Sequence, residues 1–69
     1  MNHTRLIELL RTEYRRQWDA HQLLADQNVR LVQAGKQPAD EHLIKEQRAA
    51  EAVRLARNEL TAAISQMES

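Results

Sequence analysis

The side chains in this sequence that could do chemistry are few and scattered. Histidine occurs at His3, His21 and His42, and there is no cysteine. His42 and Glu46 stand four residues apart, a spacing that can hold a metal ion between successive helical turns. Two ligands do not complete a site and no His-Glu-x-x-His pattern is present, so no metal is expected. His21 has no nucleophile or carboxylate one helical turn away on its face. Thr61 and Ser65 have no paired base, and a single glycine cannot build a phosphate-cradling loop. No catalytic residue and no cofactor are expected, and the chain reads as a non-enzyme.

One cluster does carry recognition chemistry. The run from Arg11 to Trp18 interleaves Arg11, Arg15 and Arg16 with Tyr14 and Trp18. Such residues can touch phosphates and stack on bases. They are also the types enriched where proteins bind one another most tightly. Glu8, Glu13 and Asp19 lie among them and would repel a phosphate backbone. A protein-binding surface built on Tyr14, Arg15 and Trp18 is therefore the expectation, with nucleic-acid binding the lesser alternative.

Such a surface has to be positioned by a very small scaffold. Sixty-nine residues make one domain, and a chain this short buries only about 60% of its unfolded surface. Disulfides and thiolate metal sites are excluded by the lack of cysteine, which leaves oligomerisation as the remaining support. Ten basic and ten acidic residues give zero formal charge, against the electrostatic footprint of a nucleic-acid binder. No apolar run approaches the ~20 residues of a membrane span, and the opening residues lead into an amphipathic segment rather than a signal peptide. A soluble, cytoplasmic protein is expected.

The only glycine and the only proline, Gly35 and Pro38, lie together in mid-chain. Helical periodicity runs from Leu6 to Val32 and again from Leu43 to Met67. Asn2 or Thr4 can cap the first helix, and Glu8 suits its positive end. Gly35 stops that helix. Pro38 suits the first position of the next helix, where its missing N–H costs nothing, with Asp40 and Glu41 in its first turn. The reading is all-α: one domain over residues 1–69, with a helix at about 4–34, a turn at 35–38 and a helix at about 39–67. So short a link favours an antiparallel hairpin.

Projected at 100° per residue, the first helix carries a polar wedge of Glu8, Arg15, Asp19, Gln22, Asp26, Arg30 and Gln33. Asp26–Arg30 and Glu41–Lys45 are acid-first pairs four residues apart on the solvated face. The apolar arc centres on Leu6, Leu10, Tyr14, Leu24 and Val32 and is wider than one neighbouring helix can cover. A homodimer, forming a four-helix coiled-coil bundle, follows from that width. Gln17, His21 and Asn28 fall inside the arc, where polar residues fix register and oligomeric state. On the second helix Ala49, Ala56 and Ala63 recur every seven residues beside Val53, Leu60 and Met67, which suits close helix approach. Ile64 completes that seam. Ile44, Leu55 and Ala62 share a second direction, with Ile44 and Leu55 a further candidate contact for a partner.

The length, the turn Ala34-Gly35-Lys36-Gln37-Pro38 and its flanking amphipathic helices resemble small phage-encoded helical-hairpin anti-activators of the anti-quorum-sensing type. That resemblance implies a homodimer that binds a bacterial host regulatory protein and inhibits it by masking. Helical-hairpin co-chaperones of type III secretion and Rop-type nucleic-acid-binding dimers resemble the chain on the same features. The functional expectation is a dimeric inhibitor of a host protein; escort of a secretion partner and nucleic-acid binding through Arg11, Arg15 and Arg16 are the alternatives.

Overall fold

The computed structural model describes residues 3–68 as two helices, α1 (His3–Gln33) and α2 (Asp40–Glu68), packed against each other as an antiparallel hairpin. Both segments are rich in Ala, Leu, Arg, Glu and Gln and contain neither glycine nor proline. The end of α1 is built by Gly35, whose φ of 76° lies in the left-handed region. That turn lets the Lys36 N–H donate to the Leu31 carbonyl at 2.8 Å and the Gly35 N–H to the Val32 carbonyl at 3.0 Å. Two carbonyls that α1 would leave unpaired are thereby satisfied in a Schellman arrangement.

The start of each helix differs from expectation. Pro38 lies two residues before α2 rather than at its first position. Ala39 caps instead, its carbonyl accepting from the His42 and Leu43 N–H groups at 2.9 and 3.2 Å. Alanine has no side-chain acceptor, so Asp40 and Glu41 supply the favourable charge at this end. At the start of α1, Thr4 is already inside the helix, Asn2 lies outside the described residues, and no acid occupies the first turn. Glu8 is therefore one turn too late to face the helix end.

The seam between the helices is a seven-residue pattern on both. Ile7, Leu10, Tyr14, Gln17, His21, Leu24, Asn28 and Leu31 are buried or half-buried on α1. On α2 the corresponding line is Glu46, Ala49, Val53, Ala56, Leu60 and Ala63, with Ile64 beside it. The alternating spacings of three and four are those of a coiled coil. This corrects the projected arc: Leu6 and Val32 are 38% and 62% exposed, and Met67 is half exposed. A seam with a 3.5-residue period drifts about 20° per heptad across a straight 100° projection. A fixed arc therefore fits mid-helix and misassigns both ends.

The packed interior is thin. Among the described residues only Ala56 and Asn28 are buried, and no side chain is fully enclosed. The hairpin measures 52 × 15 × 14 Å with a radius of gyration of 15.8 Å, against about 11 Å for a compact domain of this length. It exposes 5771 Å², where a compact chain of its mass would expose on the order of 4,400 Å².

Candidate partner interface

The seven-residue seam divides the outer surface of the hairpin into two flanks. On one, α1 presents Arg11, Trp18, Ala25 and Val32 and α2 presents Leu43, Ala50, Arg57 and Ile64, each set recurring every seven residues. Arg11 and Ile64 line one groove together with Ile7 and Met67, which fixes these two rows as neighbours. The other flank carries Leu6, Glu13, Ala20 and Gln27 against Lys45, Ala52, Glu59 and Gln66, with Leu9, Leu23 and Leu55 further out. Gln27 and Lys45 share a crevice near the turn on that side.

Three of the expected contact residues come together on the first flank. Arg11, Tyr14, Arg15, Trp18 and Asp19 line a shallow groove of about 430 Å³. Trp18 is 44% exposed. Its ring lies 6.3 Å from that of His21 at an interplanar angle of 49°, so its inner edge rests on the seam. Tyr14 is half-buried, and Arg11 and Arg15 are exposed. Neither arginine forms an ion pair among the described residues, whereas Arg16 does. The Arg16 guanidinium turns to Glu13, 2.9 Å from one carboxylate oxygen and 3.2 Å from the other. That separates Arg16 from the groove and splits the basic cluster read from the sequence.

Sequence reasoning missed Arg57. Counting back one heptad from Ile64, which borders Arg11, places Arg57 on the same flank. The antiparallel register, marked by the Asn28 contact to His42, sets it level with Tyr14. Arg57 is exposed and likewise has no ion pair among the described residues. Its signal was present in the seven-residue spacing of Leu43, Ala50, Arg57 and Ile64, but only the pairing of the helices brings it to Trp18.

Ile44 and Leu55 do not extend this groove. Both are about half exposed on the outer side of α2. Eleven residues of helix separate them, about 16 Å, with Arg48 and Glu51 between. They are single apolar residues rather than one patch.

The polar seam residues are held in three different ways. Gln17 Nε2 donates to Glu13 Oε1 at 2.8 Å. That bond, and then the neighbouring Arg16 charge, hold the Glu13 carboxyl below the usual carboxylate range despite some desolvation. Asn28 Nδ2 donates a long, 3.4 Å bond to the His42 carbonyl across the seam near the turn. His21 Nδ1 is enclosed with no hydrogen-bond partner. Of the two acid-first pairs, Glu41–Lys45 is present at 3.4 Å and Asp26–Arg30 is not among the ion pairs of the described residues.

Among the described residues no three His, Asp or Glu side chains gather as a metal site, and no helix is long and apolar enough to cross a membrane. His42 is exposed and Glu46 half-buried, with no third ligand beside them. Compared with protein-family models, curated proteins and solved structures, the chain finds no match.

Proposed function

We propose that the chain is a non-enzymatic protein-binding module that dimerises and masks a regulatory protein of a bacterial host, acting in the cytoplasm. One observation carries the reading: the hairpin exposes roughly 1,300 Å² more than a compact chain of its mass. A stable protein interface covers about 800 Å² per partner, so the surplus is enough for one such contact and leaves apolar surface over. A thin seam with no disulfide and no cluster of metal ligands among the described residues makes association the natural source of stability.

The two flanks suit different neighbours. Leu9, Leu23 and Leu55 are 60%, 61% and 53% exposed on one side, and register places Leu55 at a height between the other two. A second copy packing there forms a four-helix bundle. The Trp18 flank then stays open, with its aromatic and guanidinium groups free to cover a functional face of a target.

Sedimentation velocity across a micromolar concentration series tests the dimer. A 16 kDa species is expected, dissociating when Leu23→Glu places a charge in the contact. A wild-type chain that remains a folded 8 kDa monomer at high micromolar concentration would sink the reading.

A further inference from the structure

We infer that the open flank recognises an amphipathic acidic segment of its partner protein, with carboxylates meeting Arg11, Arg15 and Arg57 around Trp18. The inference rests on the protein-binding reading above and names the chemistry of the partner.

Two properties of the flank carry it. Its half nearer the helix termini is basic and aromatic: three arginines without ion pairs among the described residues, Tyr14 and the exposed edge of Trp18, against the single acid Asp19 lining the groove. Guanidinium forks match carboxylates in two-pronged geometry and lose little entropy in doing so. The half nearer the turn is apolar, with Val29, Val32 and Leu43 each about half exposed or more. A segment that complements both halves carries acid at one end and aliphatic side chains at the other. A helix of about 20 residues spans ~30 Å, which fits within the 52 Å length of the hairpin. Nucleic acid complements only the basic half, since a phosphate backbone offers nothing to Val29, Val32 and Leu43.

Trp18 is the only tryptophan, so its fluorescence reports from inside the proposed contact. The probe is a 20-residue tryptophan-free peptide of Glu, Ala and Leu, with glutamates in one half and a leucine stripe in the other. It is titrated into the full chain beside a single-stranded oligothymidylate of equal charge. A saturable change in Trp18 emission with the peptide is expected. Arg57→Gln should weaken it about tenfold, while Arg16→Gln, which removes the same charge outside the groove, should change it less than about twofold. Circular dichroism confirms that both variants remain helical.

No saturable signal, equal losses from the two variants, or tighter binding of the oligonucleotide would each overturn the inference. Bait experiments in host lysate separate its failure from that of the broader reading. A protein retained equally by wild type and Arg57→Gln removes the patch and leaves the module. Bait that recovers no protein removes the module.

Discussion

At the residue scale, the seam polar groups separate cost from specificity. His21 Nδ1 is enclosed without a partner, and such a group costs about 1–3 kcal/mol. His21→Leu is therefore expected to raise stability by about 1 kcal/mol in urea denaturation; an unchanged or lower midpoint would mean that His21 has a bonding role in solution. Asn28 differs, because its bond to the His42 carbonyl crosses the seam and ties the helices in one register. Glu13 adds a pH dependence whose sign follows from its lowered pKa. A carboxylate stabilised in the folded state contributes above the usual carboxylate range, and that contribution is lost as pH falls through the range toward the folded value. Glu13→Gln should flatten this acid-side loss, followed by helical ellipticity between pH 6 and 3. The effect will be small, because the side chain is 41% exposed.

At the element scale, two small residues decide the geometry. Gly35 holds a positive φ with open space around the position of a Cβ. Alanine there meets no neighbour and pays only for the left-handed backbone, so Gly35→Ala should cost about 1 kcal/mol by urea denaturation. A loss several times larger would indicate that the turn makes further contacts. Ala56 is buried at mid-seam, with Ala49 and Ala63 one heptad to either side, and these set how closely the helices approach. Ala56→Leu adds volume that the seam lacks and should lower stability by about 1–3 kcal/mol. Gly35, the two amphipathic periods and the hairpin they imply were legible in the sequence because they are local. The caps were less so: a proline just before a helix can occupy the first turn or the approach to it, and here it takes the approach.

At the scale of the whole molecule, a 52 Å rod with two buried residues among those described is a scaffold that leaves much apolar surface in water. If that surface is covered by a second copy, unfolding becomes coupled to association. The melting temperature should then rise with protein concentration across the micromolar range, read by thermal circular dichroism. A concentration-independent midpoint would show that the hairpin carries its stability alone.

What the sequence by itself determined is the set of short-range choices. Helical composition, the break at Gly35 and Pro38, and the polar residues within the apolar arc all act through neighbours a few positions apart. The tertiary structure alone decided which of the surplus apolar residues meet the other helix. It took Ile7 and Leu31 into the seam and left Leu6 and Val32 outside, because a coiled-coil seam drifts across a straight helical projection. It also divided the arginines: Arg16 was claimed by Glu13 one turn away, while Arg57, more than forty residues from Arg11, was carried to the Trp18 flank by antiparallel pairing. No local pattern encodes that meeting, since it depends on which two faces bury each other.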